Sequence, residues 1–410
     1  MKILFIRSHN PYFETSASAN RYLGLLDGLL AQGASITLVI TEGYNYFLEY
    51  KLKGRPSEKG NLKIKYLIPT LNYNIWFRRI NRYLLSGIFQ HIINVRLNHF
   101  FKLDYDFIWL TFEKKILAAY YKNQSTIKGK TLMELNEFND LHVNDVQLGN
   151  VLQLRHAEAG NRIFLRALKG IDLLAVMTKT LIAHYKPLAK QEAIFFHLPM
   201  SVDMNRFLSV QEDVEFEKPY IAYTGTFNNQ KDGVDILIKA FAKIADKFPS
   251  HKLYLAGFHH YDVPMQKELI ANFKLKDRVI YIGVIEKDKI PGFIKNAEVL
   301  AMARPNSRQA QGGFPTKLGE YLATGNPVCV TSVGEIADYL CHNESAFMAK
   351  PDSVDSFAEA LDHALSDKEN AKKVGLHGFD VAKKSFNVEI QSQRLYVFLN
   401  NQMNNFRSEN

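Results

Sequence analysis

Short apolar runs alternate with segments of helical period along this chain, and the alternation happens twice. The first round opens with an apolar run at Lys2–Ile6, a polar loop over Arg7–Ser18, and a segment over Ala19–Gln32. That segment carries Tyr22, Leu23, Leu26, Leu29 and Leu30 on one helical face and stops at Gly33, before a second apolar run at Ser35–Ile40. A strand, a helix, a glycine stop and a strand make a βαβ unit, which pairs its strands in parallel through a right-handed crossover. Further runs at Asp106–Thr111 (DFIWLT), Lys130–Leu135 (KTLMEL), Asp172–Met177 (DLLAVM) and Ala193–Leu198, with a helix at Gln153–Leu168, extend the first round. The second round begins at Tyr220–Thr224 (YIAYT), follows with Val234, Leu237, Ile238 and Phe241 at helical spacing, and repeats strands at Leu253–Ala256, Val279–Ile282, Glu298–Met302 and Val328–Val330. Near-continuous apolar strands belong to parallel sheets covered on both faces. The predicted class is α/β, as two doubly wound Rossmann-like domains facing across a cleft, and 410 residues suffice for two such cores.

Ligands of such sheets sit at the carboxyl ends of the strands. Gly225, Gly257 and Gly283 each stand at such an end and imply close backbone approach there. In the first round Glu113, Glu134 and Glu137 fall at or near strand ends, placed either to hold an acceptor hydroxyl and balance developing charge or to serve as surface acids. His142, in a polar loop, has no role assigned.

One stretch carries more chemistry than the others. Arg304 to Thr331 reads as loop, helix, loop, strand: Gly312-Gly313 free the backbone, Pro315 takes the first helical position, and Leu318, Tyr321 and Leu322 recur at helical spacing. Gly325 then ends the helix and Pro327 prevents its continuation. The unpaired amides of Thr316 and Lys317 at the start of that helix form a seat for a phosphate. Lys317 and Glu320 lie on one face, so a cation beside the phosphate and a carboxylate about 5 Å along the axis suit a nucleoside diphosphate. The same spacing also fits an ordinary αβ unit with solvated Lys and Glu.

Composition narrows the setting. Hydrophobic residues at 47% and charged residues at 23% are ordinary globular values. Two cysteines, Cys329 and Cys341, in or near predicted core strands argue for a reducing compartment. The first apolar run ends at Arg7, too short for a signal core, and no run reaches the length of a membrane span, so the expected location is cytoplasmic. Net charge is +9, and between Lys59 and Lys102 there are eight Lys or Arg and no Asp or Glu. Tyr73, Trp76, Phe77 and Phe89 are interleaved with Arg78, Arg79 and Arg82 in that segment. A basic, aromatic, amphipathic stretch suits an anionic membrane surface, here the inner face of the cytoplasmic membrane, or a solvated helix pair. Nucleic acid is set aside because no nucleic-acid motif accompanies the charge.

The stretch around Gly313-Phe314-Pro315 resembles the signature of family 4 retaining glycosyltransferases of the GT-B fold, which place a glutamate, seven residues and a second glutamate around Gly-Phe-Gly. The variant FPTKLGEYLATGNPV resembles a bacterial branch in which Pro-(Thr/Ser)-Lys opens the helix. Glu320 matches the second, ribose-binding glutamate, whereas the first falls on Gly312 and is missing, although in the family it touches the donor sugar. The resemblance implies that Lys231, six residues after Gly225, binds the donor pyrophosphate. It places Thr226 where an arginine is usual and Glu335 near the nucleotide. Lys317, Arg304 and the first turn through Thr316 and Leu318 complete the implied donor site. Pro199-Met200-Ser201-Val202-Asp203 with Arg206-Phe207 resembles the interdomain segment of the same family, and Ser16, Ala17, Ser18 and Arg21 stand where its acceptor-side loop lies. Domains are expected at 1–203 and 204–387, with the linker over 204–218. In this fold a last helix returns to the first domain, here the amphipathic segment at about 388–405.

The implied reaction is transfer of a sugar from a nucleotide diphosphate-sugar, UDP favoured, to a glycan or lipid-linked saccharide acceptor with retention, by a hexosyltransferase of polysaccharide biosynthesis. Lys231 and Lys317 would carry the leaving diphosphate without a metal, Glu113 and Glu137 would act on the acceptor side, and no cofactor beyond the donor is implied. Two rivals stay open on the same scaffold: a nucleotide-sugar epimerase, and a protein that binds nucleotide with little turnover. A dinucleotide oxidoreductase is disfavoured, since no Gly-x-Gly-x-x-Gly follows the first strand.

Overall fold

The first strand sits in the middle of its sheet, flanked on both sides by partners laid down later. The computed structural model describes residues 1–14, 17–41, 58–68, 86–140, 151–208, 210 and 216–408. Arg78, Arg79 and Arg82 with Tyr73, Trp76 and Phe77, and also His142 and Ser16, lie outside the described residues. The chain divides into two units, Met1–Leu198 with Ser392–Asn410, and Pro199–Gln391.

The first unit contains β1 (Lys2–Arg7), β2 (Ser35–Ile40), β3 (Glu58–Lys59), β4 (Leu62–Tyr66), β5 (Phe107–Leu110), β6 (Lys130–Leu135), β7 (Leu173–Val176) and β8 (Ile194–His197). They form one sheet in the order β3-β4-β2-β1-β5-β6-β7-β8. All neighbours are parallel except the β3–β4 hairpin, which the hydropathy pattern does not reveal because it is short and half polar. β1 pairs with β2 through Ile3 opposite Ile36, and with β5 through Ile3 opposite Phe107. The order of addition therefore reverses between β1 and β5. Phe5, Tyr22 and Trp109 pack as an aromatic group, with Phe5 and Trp109 ring centres 4.7 Å apart.

The helix Ala17–Ala31 covers this sheet and is followed by Gly33 at φ +89°, the left-handed position that ends it. On it rests the last helix, Val388–Ser408, whose Leu395 and Leu399 are fully buried among Leu25, Leu26 and Leu29. Each such leucine contributes roughly 2 kcal/mol through area removed from water. Phe398 stacks on Phe196 at 4.4 Å, and a side chain at Gly28 would meet Ser392 Oγ at 2.0 Å, so the two helices approach over a bare backbone.

The second unit contains β9 (Tyr220–Thr226), β10 (Lys252–Phe258), β11 (Val279–Gly283), β12 (Val299–Met302), β13 (Val328–Thr331) and β14 (Phe347–Ala349). Its sheet is fully parallel in the order β11-β10-β9-β12-β13-β14, reversing between β9 and β12. Ile221, Leu253 and Val299 pack with Leu237, Phe241, Phe357 and Leu361 of the covering helices. This unit starts at Pro199, earlier than the expected 204. Val202 bridges to Asn387, Phe207 is buried, and a side chain at Gly319 would meet Met200 at 2.3 Å, so the segment read as a crossover packs as part of the second unit. Both units are Rossmann-like. Among the described residues no helix is long and apolar enough to cross a membrane.

Candidate donor site

At the β9/β12 reversal, three short segments meet. β9 ends in Gly225 and Thr226, with Gly225 at φ +146°. A four-residue turn, Asn229–Asp232, follows, capped by the Asn228 side chain, which accepts from the Lys231 amide at 2.8 Å. Beyond β12, Arg304 is 4% exposed and reaches back to both neighbours: its Nε donates to the Lys231 carbonyl (3.4 Å) and its Nη1 to the Gly313 carbonyl (3.3 Å). One guanidinium therefore ties the Lys231 turn to the Gly313 loop.

The helix Thr316–Ala323 begins where the chain leaves that loop. Pro315 is its cap, at φ −72° and ψ 116°, one residue earlier than the first helical position expected for it. Its extended ψ keeps it outside the helix, while its carbonyl accepts from Leu318 (3.0 Å). The expected loop before it contains a helix at Arg308–Gly312, capped by Ser307. Gly312 is helical and Gly313 lies at φ −99°, a conformation open to any residue, so neither glycine serves by freeing the backbone. Phe314 is buried against Tyr339 and Phe386, and Leu318 lies wholly in the core, so both are packing residues here.

Lys317 is the centre of the site. Its Nζ lies 2.9 Å from Asp232 Oδ2 and 3.2 Å from Tyr223 Oη. Tyr223 Oη is itself within hydrogen-bond distance of Asp232 Oδ2 (3.0 Å) and the Thr226 carbonyl (2.7 Å). Burial, together with Arg304 and Lys231, outweighs the pull of Asp232 and lowers the Lys317 pKa below the ordinary lysine value. Burial works to raise the Asp232 pKa, but Lys317 and Arg304 overcome it and hold the carboxyl below its usual range. Lys231 is exposed at the rim. Three cations and one carboxylate thus surround the end of β9.

The strand-end glycines have distinct roles. A side chain at Gly225 would meet Lys317 Nζ at 2.3 Å, and one at Gly257 would meet the Gly225 carbonyl at 1.7 Å. The space at those two positions is taken by the protein itself; only Gly283, with nothing within 4 Å, opens to the surroundings.

Glu320, one turn along the helix from Lys317, accepts from Arg206 Nη1 at 2.7 Å. Both side chains remain about one-fifth exposed. Glu335 is buried behind Gly334, whose φ is +59°.

In the first unit the three acids separate. Glu134 is not at an open strand end: it is sealed in an ion pair with Arg21 (2.5 Å), each side chain 1% exposed, and Arg21 also donates to the Leu198 carbonyl. The expected acceptor-loop arginine is thus a core residue. Glu137 is exposed and its carbonyl accepts from Tyr185. Glu113 stands at the β1/β5 reversal, its Oε1 accepting from the Ser8 amide and Thr111 hydroxyl (both 3.2 Å), its Oε2 buried without a partner. Desolvation raises its pKa, against the opposing hydrogen bond from Ser8 and the charge of Arg7. Nearby Arg7 is 7% exposed, gives Nη2 to Glu14 (2.8 Å) and covers the Tyr22 ring.

Asp232, Tyr223 and Arg7 escaped the sequence reading, which placed Arg206 in the interdomain segment and not in the donor site. Asp232 follows Lys231 directly, but no spacing rule marks a carboxylate whose partner lies on another helix.

Residues 206–379 match the family model described as glycosyl transferases, group 1. The group 1 region therefore begins at Arg206, contains Lys231, Asp232, Arg304, Lys317 and Glu320, and ends within the helix Lys368–Ser385. An uncharacterized glycosyltransferase of Methanocaldococcus jannaschii is 27% identical over 197 residues, covering 46% of this chain and 47% of that protein. The chain spans about half the length of the curated relatives it matches. Sucrose-phosphate synthase from Thermosynechococcus elongatus superposes with a TM-score of 0.71 at 17% identity, covering 97% of this chain and 98% of that one. Anabaena HepE in complex with UDP and glucose superposes with a TM-score of 0.68 at 14% identity, covering 98% and 100%.

Proposed function

We propose that this chain is a glycosyltransferase that moves a sugar from a nucleoside diphosphate-sugar to a saccharide or lipid-linked saccharide. The observation that carries the reading is the Lys317 ammonium, held beside Gly225 at the point where the second sheet reverses its strand order. Reversal points are where open α/β sheets take ligands. Lys231, Lys317 and Arg304 set against Asp232 leave a positive seat beside the Thr316 and Lys317 amides, which matches a diphosphate. The group 1 match over this region supports the reaction class, the UDP held by the similarly folded HepE supports a nucleoside diphosphate donor, and UDP is the donor we favour.

In this reading the bond between the anomeric carbon and the departing diphosphate breaks as the acceptor oxygen bonds to the same face, and the acceptor hydroxyl's proton passes to the departing diphosphate oxygen. Charge appears on the diphosphate, and Lys231, Lys317, Arg304 and the helix amides stabilise it with no metal required for that task. Glu320 takes the ribose hydroxyls, Glu335 borders the nucleotide, and Glu113 with Glu137 serve the acceptor side. The basic stretch 59–102 docks on an anionic membrane surface; within it Lys63 and Lys65 are exposed on β4.

A melting panel of UDP, GDP and their sugars tests this. UDP or a UDP-sugar should stabilise the full chain, by about 2.7 kcal/mol at a hundredfold excess over Kd. Lys231→Ala and Lys317→Ala should cut sugar transfer far more than uridine binding. If no nucleoside diphosphate shifts the melt, the reading fails; stabilisation together with conversion of the sugar in the absence of any acceptor would replace it with an epimerase.

A further inference from the structure

Lys317 is a largely enclosed ammonium, its side chain 18% exposed, with two other cations close by, and that arrangement needs an explanation. An isolated buried charge costs several kcal/mol, and a lysine in that position escapes the cost by losing its proton. A neutral amine would be useless against a leaving diphosphate. The groups that act on Lys317 are Tyr223 from β9, Lys231 and Asp232 from the turn after it, and Arg304 from the end of β12; on its own helix Glu320 is held by Arg206 and the Tyr321 hydroxyl lies on Thr224. Of the carboxylates, Asp232 makes the ion pair with Nζ, while Glu320 is engaged by Arg206.

We propose that Asp232 is a positioning residue for the donor diphosphate, holding the Lys317 ammonium at the end of β9 and preserving its charge until phosphate oxygens arrive. Three features fix the geometry. Asp232 is 4% exposed and sits at the end of its turn, before Gly233, whose φ of +65° no side chain adopts readily. A side chain at Gly233 would also meet the Ala303 carbonyl at 1.9 Å, so the turn is pinned against β12. Tyr223 Oη bridges the acid and the amine and is anchored on the rigid β9 strand. Lys317 is therefore gripped from two elements, and its helix supplies the third support.

This inference rests on the nucleotide reading above, and its test separates the two. UDP binding is measured by calorimetry from about pH 6 to 10 for the full chain and for Asp232→Asn, Lys317→Arg and the double variant. In the parent, affinity holds into the alkaline range. Asp232→Asn keeps the shape of the acid but not its charge, so its alkaline loss of affinity should begin at least one pH unit lower, a difference of about tenfold at the pH where it is largest. Arginine stays charged throughout, so Lys317→Arg with Asp232→Asn should restore alkaline binding. Titration of the uracil ring is common to all four proteins and cancels. Should Asp232→Asn not fold, Asp232→Ser, which also removes the charge, takes its place with the same expected early alkaline loss and the same repair by Lys317→Arg. Profiles that superimpose, or a loss equal at every pH that Lys317→Arg does not repair, overturn the role of Asp232. Failure of the parent to bind UDP or GDP overturns the nucleotide reading and this inference with it.

Discussion

Arg206 Nη1 lies 2.7 Å from Glu320 Oε1, joining the first helix of the second unit to the helix that carries Lys317. The pair is about one-fifth exposed on both sides, so solvent screens it and its direct worth to stability is small. Its consequence is orientation: the carboxylate expected to take ribose hydroxyls is held by a cation that leaves its other oxygen available for accepting.

Glu320→Ala should therefore weaken UDP binding by more than about tenfold, or roughly 1.4 kcal/mol. Arg206→Ala leaves the carboxylate in place but less well aimed, and its loss should be smaller, about threefold. Calorimetry with UDP measures both. Unchanged affinity in Glu320→Ala would remove that residue from the nucleotide site.

Glu113 makes a prediction about pH. Burial raises its pKa in the folded state above the unfolded value. A carboxyl with a raised folded pKa favours folding in its protonated form, so its contribution is full below the unfolded pKa and fades as pH climbs through the folded one. Glu113→Gln mimics the protonated form. It should melt higher than the parent at pH 7 to 8, by roughly 1 to 3 °C, and the gap should close towards pH 4. A variant that melts lower at neutral pH would show that the buried Oε2 is well solvated after all.

The strand-end glycines predict a ranking. Gly257→Ala drives a methyl into the Gly225 carbonyl at 1.7 Å, at the register where β9 and β10 pair. It should cost most, more than about 3 kcal/mol. Gly225→Ala meets the end of a long side chain, Lys317, and can be partly relieved by its movement, so it should cost less in stability but displace the ammonium and weaken UDP binding. Gly283→Ala meets nothing within 4 Å and carries only the strain of φ +76°, of order 1 kcal/mol. Urea denaturation of the three proteins checks the order.

The last helix predicts a dependence of one end of the chain on the other. Removing Ser392–Asn410 uncovers the leucines against which Leu395 and Leu399 pack. By the scale of large-to-small core substitutions, the loss should exceed about 4 kcal/mol. Gly28→Val should approach the same outcome by forcing Ser392 away. Melting with limited proteolysis should show the N-terminal unit failing first; full retention of its protection would show that the helix is dispensable.

Both sheets were legible from local pattern, since apolar runs and helical periodicity report burial within a few residues of each position. β3, β4 and β14 were not, because β3 and β14 are two and three residues long and β4 carries lysines at alternate positions inside a basic stretch. The Thr316–Ala323 helix was read to within one residue, its stop at Gly325 included, where φ is +75°. The acids of the first unit show the boundary of such reading. Glu113, Glu134 and Glu137 looked alike as strand-end carboxylates, yet one is half-buried under backbone and hydroxyl donors, one is sealed by Arg21 and one is exposed.

The amino-acid order by itself determined where most strands and helices form, that the central strands of both sheets are parallel, and which lysines follow the end of β9 and open the helix at Thr316. These depend on neighbours in the chain, whose spacing repeats with the period of the element. Only the tertiary structure decided which charge meets which: Arg206 reaches Glu320 across 114 positions, Arg21 reaches Glu134 across 113, and Lys317 finds Asp232 on another element. A charge carries no signal of its partner along the chain, because the ion pair is chosen by the fold that brings the two together and by the cost of burying either one alone.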